Sequence, residues 1–412
     1  MERTSSKLAW RSSTAPGFVL SSDVDQAALA GDEDQVRLFS CQACGNIVYF
    51  ENRSCGRCGY RLAFMPERLT LSALELAGAQ WQPLERPEQK RWLCINAKWD
   101  ACNWLVNDDS NDASCIACRH NGTVPDLSDP ARLAGWRELE VAKHRLLYSL
   151  LRWKLPLKTR AEDTEHGLIF NFLADDPATG HKVMTGHDNG VITVALTETD
   201  DIERERRRLQ MNEPYRTLLG HFRHEVGHYF WDILVRDGGK LDACRAIFGD
   251  DRMNYDEALE RHYKVGALPN WQCRYVSAYA TMHPWEDFAE TWAHYLHIVD
   301  TLEMAAEFGI EVHPKRDKEG GLYAQIDFDP YVVQSFDPIS RAWLPFVFAM
   351  NSVNRAMGMR DLYPFVLSPK VLTKLDFIHR LIHDRSWEAQ GSFQDEPGFR
   401  KQPQTPEMET SE

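Results

Sequence analysis

"HFRHEVGHYFWD", residues His221 to Asp232, decides how the rest of the chain is read. On a helix, His224 and His228 stand four residues apart on one face, so both imidazoles can reach a single metal ion. Glu225 then lies beside the metal rather than on it. There it can take a proton from an activated water and return it to a leaving amine. Gly227 has no side chain, so the backbone there is open to close approach. The bland alternative is an amphipathic helix with half-exposed histidines. Its surroundings have to supply a helix, a third ligand and a catalytic geometry.

The helix is legible on both sides of the motif. In "NEPYRTLLGHFRHEVGHYFWDILVRDGG" Asn212 can cap, Glu213 suits the positive helix end, and Pro214 is tolerated in the first turn. Gly238 and Gly239 end it. Leu219, Phe222, Val226, Tyr229, Phe230 and Ile233 form a broad apolar stripe, while His221, His224, Glu225 and His228 share another face. Core packing does not explain a polar stripe on such a helix. His221 is expected to be partly exposed and takes no assigned role.

A third ligand is sought downstream in "YVSAYATMHPWEDFAETWAHYLHIVD", Tyr275 to Asp300. From Pro284 this reads as a helix with Phe288, Trp292, Tyr295, Leu296 and Val299 on its apolar side. Glu286 and Glu290 are one turn apart and share a face. Glu286, Asp287, His283 and Glu290 all compete for the metal within this segment, against solvated helix carboxylates as the simpler reading. Tyr279, and Tyr275 four residues earlier, supply phenols; Tyr279 is the candidate donor to an oxyanion, with a structural tyrosine as its alternative.

Eight of the ten cysteines fall between Cys41 and Cys118. "CQACGNIVYFENRSCGRC" contributes Cys41, Cys44, Cys55 and Cys58, two CxxC turns that complete a four-sulfur shell for a structural zinc. Cys94, Cys102, Cys115 and Cys118 form a second set with looser spacing, for a second structural zinc or for thiols buried as small hydrophobes. Cys244 and Cys273 have no CxxC partner and read as ordinary thiols. A module this small has little core, so metal supplies folding free energy and structural stapling is the reading, with docking of a protein partner as its alternative.

The 412 residues carry a net charge of −14, which argues against a general nucleic-acid binder. No apolar run approaches the roughly 18 residues of a membrane span, and the first residues lack a signal-like apolar core. A cytoplasmic, non-membrane protein is expected. Residues 1–38 read as a disordered lead-in, 39–122 as a cysteine-rich zinc-ribbon module with two four-cysteine sites, 126–385 as one mixed domain, and 386–412 as a disordered tail. Within the large domain a helix is expected over Ala131–Leu155, strands over His166–Ala174 and Gly190–Glu198, and a solvated charged segment at "TDDIERERRRLQ".

"HEVGH" followed by "EDFAE" resembles gluzincin-type zincin metallopeptidases, and the Tyr279–Glu286 spacing is similar to the catalytic domain of anthrax lethal factor. The zinc ribbon, "EPYRTLLGHFRHEVGHYFWD", "MHPWEDFAETWAHYLHIVDTLE" and "FAMNSVNRAMGMRDLYPFVL" together resemble the bacterial zinc-binding metallopeptidases with an N-terminal zinc ribbon. The resemblance implies an α+β, largely helical zincin-like domain behind a small zinc-ribbon module. It implies Glu286 as third ligand of a catalytic zinc and Glu290 as hydrogen-bond partner of a ligating histidine. Strand Gly190–Glu198 would be the sheet edge that pairs an extended peptide or protein substrate. The reading is peptide hydrolysis by a zinc-activated water with Glu225 as general base, using one catalytic and two structural Zn2+. Its rivals are a zinc-stapled adaptor with a structural third metal and a nucleic-acid-associated ribbon protein.

Overall fold

The computed structural model of the chain describes residues 38–106, 112–176, 179–180, 182–210 and 217–384. The lead-in before Leu38 and the tail from residue 385 lie outside the described residues, as do Asn212, Glu213 and Pro214. The described residues are mixed helix and sheet, with a cysteine-cluster module at the N-terminal end.

That module starts with a short antiparallel pair, β1 (Phe39–Ser40) and β2 (Ile47–Val48), flanking the first CxxC turn. The amides of Cys44 and Gly45 donate to the Cys41 carbonyl at 3.2 and 2.7 Å, and Gly45 takes φ 69°, where a side chain would be strained. A meander of β3 (Arg61–Met65), β4 (Thr70–Ala77) and β5 (Gln80–Pro83) follows. Its Phe64 packs against Trp104, 4.7 Å between ring centres, and joins the same core as Leu146 and Leu150 of the next helix.

That helix is α1 (Pro130–Arg152), close to the segment expected from its periodicity. Asp129 caps it, accepting from the amides of Ala131 and Arg132, and Pro130 fills the first turn. A three-stranded sheet lies next in the chain: β6 (Ile169–Leu173), β7 (Gly186–Asp188) and β8 (Val191–Ala195), in the order β6-β8-β7. Asn189 and Gly190, both at positive φ (45° and 79°), make the tight β7–β8 hairpin. The expected strand Gly190–Glu198 is thus shorter, giving way to a 3₁₀ turn at Leu196–Thr199. Among the described residues it is also central rather than an edge. Its period-2 pattern marked a strand but carried no information on order in the sheet, and β7 is the edge on the side of HEVGH. The charged segment forms α2 (Asp201–Gln210).

The motif helix α3 runs Leu218–Phe230, capped by Thr217, whose side chain accepts from the Gly220 amide. The cap stands five residues beyond Asn212. Trp231–Arg236 continue α3 as a wider π turn, which ends before Gly238 and Gly239 as the two glycines imply. Then follow α4 (Leu241–Phe248), α5 (Tyr255–Val265) and the long α6 (Pro284–Glu307). A short pair, β9 (Glu311–Val312) and β10 (Ala324–Gln325), precedes α7 (Asp337–Ala356) and α8 (Pro369–His383). Among the described residues no helix is long and apolar enough to cross a membrane.

Helix α3 crosses α6 at Gly227. A Cβ there would lie 3.0 Å from the Ala289 Cα and 3.2 Å from the Trp292 Cβ. His224 and His228 lie either side of Gly227 in sequence; Glu286 and Glu290 lie either side of Ala289. The contact between these two small residues brings the polar stripes of both helices together inside a core of Phe222, Phe230, Phe288 and Trp292.

Candidate metal centre

At this crossing the side chains of His224, His228 and Glu286 converge, their donor atoms within 4.8 Å of one another. His224 Nε2 is 3.0 Å and His228 Nε2 3.5 Å from the same Glu286 oxygen. The second nitrogen of His224 faces Glu290 at 2.7 Å, and Glu290 in turn accepts from the Ser277 hydroxyl at 2.5 Å. With Nδ1 donating to Glu290, Nε2 is left as the nitrogen facing inward. His228 and Glu286 are almost fully buried, and the His228 ring packs against Trp285 at 3.7 Å. Burial raises the cost of every charge here, yet the two histidines hold Glu286 well below the usual carboxylate range. The carboxylates of Glu286 and Glu290 likewise outweigh burial and hold His224 well above an ordinary imidazole.

The other carboxyl and imidazole groups of this segment are engaged elsewhere. Asp287 pairs with Lys374 at 2.6 Å, while burial pushes its carboxyl up to about 7. His283 caps α6, accepting from the Trp285 amide, and its other nitrogen lies 3.1 Å from the Met253 carbonyl. Tyr275 packs under the Lys374 ammonium at 4.2 Å. Tyr279 has its ring 6.0 Å from that of His224. Glu225 is half-buried on α3; burial raises the Tyr255 phenol, with the charge of Glu286 and then that of Glu225 adding to it. His221 is turned away from this cluster: its Nδ1 lies 3.2 Å from a carboxylate oxygen of the buried Glu198.

Sequence reasoning missed Tyr255. Its hydroxyl donates to the second Glu286 oxygen at 2.8 Å. It lies thirty-one residues before Glu286, with no periodic link to either motif, so no pattern could have found it. His187 was missed for the same reason. It sits on β7 with its ring 6.1 Å from that of His228.

The first cysteine set forms one cluster, with Cys41 and Cys58, and Cys44 and Cys55, each 3.6 Å apart. Amides at Cys58 and Arg57 pull the Cys55 thiol down to about 6. The loosely spaced second set also converges, with all four sulfurs buried and Cys102 and Cys115 at 3.7 Å. Both sets have the chemistry and spacing of structural zinc sites. None of the ten cysteines is in a disulfide. Helix α1 closes the second set: His144 Nε2 lies 3.3 Å from Cys102 Sγ and Glu140 lies 3.7 Å from Cys118 Sγ. Buried Lys143 pairs with Glu140 at 2.9 Å. In the sequence this segment reads only as a helix over Ala131–Leu155. Cys244 is buried, which pushes its thiol up to about 12, and Cys273 is exposed.

Residues 132–381 match the family model described as "Putative zinc-binding metallo-peptidase", and residues 38–129 match a zinc-ribbon domain. Proteins of Mycobacterium tuberculosis and Mycobacterium bovis, both described only as uncharacterized, are 41% identical over 351 residues, covering 85% of this chain and 96% of each relative. No solved structure matches.

Proposed function

The chain belongs to the zinc-binding metallo-peptidase family, and on that premise we propose that it hydrolyses peptide bonds at the crossing of α3 and α6. The observation that carries the reading is the convergence of two imidazoles and one carboxylate within 4.8 Å, with Glu225 beside them on α3. Two nitrogens and one carboxylate oxygen suit zinc and leave a position for water or substrate. His224, His228 and Glu286 would hold the metal, and the two cysteine sets a structural zinc each. When bound, the metal supplies Lewis acidity that polarises a carbonyl and makes water a better nucleophile near neutral pH.

The chain's own groups do the rest. Glu290 fixes the tautomer and ring angle of His224. Glu225 accepts the proton of the attacking water and delivers it to the departing amine. Tyr279 donates to the oxygen on which negative charge develops. The pairing of α3 with α6, beside the sheet edge β7, is read as a zincin-like arrangement of the gluzincin kind. An extended peptide would add as a strand along β7.

The test is Glu225→Gln in the full chain. It is expected to keep the wild-type zinc content and lose about 10²- to 10⁴-fold in cleavage of a confirmed peptide substrate. Full cleavage by that variant would end the mechanism.

A further inference from the structure

A cavity of about 360 Å³ opens against the candidate metal centre. It shares three walls with that centre. Tyr255 lines it and donates to Glu286; Trp285 lines it and packs on His228; His187 lines it from β7. β7 is an edge of its sheet among the described residues, and side chains of an extended peptide point alternately to opposite sides. A peptide laid along β7 with a carbonyl at the metal centre therefore sends a neighbouring side chain into this cavity.

Its remaining walls decide what that side chain is. Asp188, Asp232 and Asp251 line it against one guanidinium, Arg236. Arg236 is not a free cation, because it is shared between Asp232 at 2.9 Å and Asp237 at 2.8 Å. Asp251 is paired from behind by Arg245 at 2.6 Å. Arg160 adds a second cation nearby, its guanidinium hydrogen-bonded to the carbonyl of the lining residue Asn189. Asp188, Asp232 and Asp237 against Arg236 and Arg160 still leave negative charge in excess, beside the indoles of Trp231 and Trp285 and the phenol of Tyr255. Carboxylates in excess over cations, beside aromatic rings, attract a cation on a long aliphatic stem. Burial also pushes the Asp232 carboxyl up, a cost that a bound cation would relieve.

We propose that this cavity binds a lysine or arginine side chain of the substrate next to the scissile bond, with Asp188 and Asp232 as the residues that set the preference. The substrate part of the inference rests on the peptidase reading; the cation site does not.

Two measurements on the zinc-loaded full chain separate them. In the first, n-butylguanidinium and its neutral isostere N-butylurea are titrated into the protein by calorimetry. The cation is expected to bind at least about tenfold tighter, and Asp188→Asn/Asp232→Asn to abolish the difference. Asp188→Asn alone, at an exposed position, is the control if the double variant does not fold, and is expected to reduce the difference. Equal binding of the two probes, or discrimination unchanged in Asp188→Asn and the double variant alike, overturns the site. In the second, internally quenched peptides carry arginine or citrulline at each position in turn. Glu225-dependent cleavage favouring arginine at one position beside the cut supports the inference. Glu225-dependent cleavage indifferent to the exchange overturns it and leaves the peptidase reading standing. Discrimination of the probes without cleavage of any peptide supports the cation site and overturns the peptidase reading.

Discussion

Gly227→Ala separates the helix crossing from the chemistry it serves. A methyl at 227 would lie 3.0 Å from the Ala289 Cα, 3.2 Å from the Trp292 Cβ and 3.3 Å from the Ala289 carbonyl oxygen. Ordinary contact begins at 3.4 Å, so the crossing is short by 0.4 Å, 3.4 minus 3.0. Two of the three atoms belong to backbone and cannot swing aside. Two terms oppose each other. Alanine is favoured over glycine within a helix by about 1 kcal/mol, while overpacking a closed contact costs about 1–3 kcal/mol. The net loss of stability is therefore small, between nil and about 2 kcal/mol. The donor set is more sensitive. His224 and His228 ride on α3, whereas Glu286 rides on α6, and metal–ligand lengths tolerate only about ±0.2 Å. Separation of the helices by a few tenths of an ångström should weaken the third zinc by at least about tenfold, the scale seen when supporting groups of metal ligands are disturbed. Chelator competition on the folded protein measures this, with the two cysteine-bound zincs as internal references and urea unfolding as the stability control. Wild-type affinity at position three, with unchanged stability, would refute the claim that the Gly227–Ala289 contact sets the donor spacing.

Other outcomes follow from the same geometry. On the proposed loading of three zincs per chain, Glu286→Ala should lower the count to two, read by elemental analysis; a count unchanged from wild type would remove Glu286 from the ligand set. Glu290→Gln should weaken the third zinc by about 10- to 100-fold through loss of the carboxylate that orients His224, measured by the same competition. His144→Ala should loosen zinc at the second cysteine set and leave the first unchanged, since His144 lies 3.3 Å from Cys102 and belongs to α1. His379, buried and hydrogen-bonded to the Tyr295 hydroxyl at 2.8 Å, is held down to about 4 by burial. Its folded value lies below its unfolded one of 6.5, so the unfolded chain binds more protons between pH 4 and 6.5. Stability from this group is full above pH 6.5 and is lost as pH falls toward 4, by about 2 kcal/mol after solvent screening. Urea midpoints of His379→Gln across that window should be flatter than wild type.

What was legible in the sequence was what repeats with a period. The i,i+4 histidines and the i,i+4 glutamates each declare a helical face, and both helices form where the apolar stripes put them. The CxxC turns likewise declare a knuckle, because two sulfurs three residues apart are already close. Asn212, Glu213 and Pro214 each favour a helix start locally but lie outside the described residues, and α3 as described is capped by Thr217, which captures the Gly220 amide. Order within the sheet was not legible. Alternation reports which side chains face inward and says nothing of which strand lies outermost; the family resemblance alone implied an edge at β8, and among the described residues β7 occupies that edge.

The missed residues share a physical property: each reaches its site from a separate element through a tertiary contact. Tyr255 stands at the start of α5, His187 on a three-residue strand, and His144 on α1. Each nonetheless has a signature that a structure exposes, a polar atom turned toward donors rather than water. Tyr255 reaches the Glu286 oxygen that the histidines do not use, and His144 directs Nε2 at two cysteine sulfurs. Ligand sets can therefore be nominated from spacing, since ligands on one element share a face. The groups that tune those ligands come from the packing of other elements, and removing them should change affinity and pH response before it changes metal count.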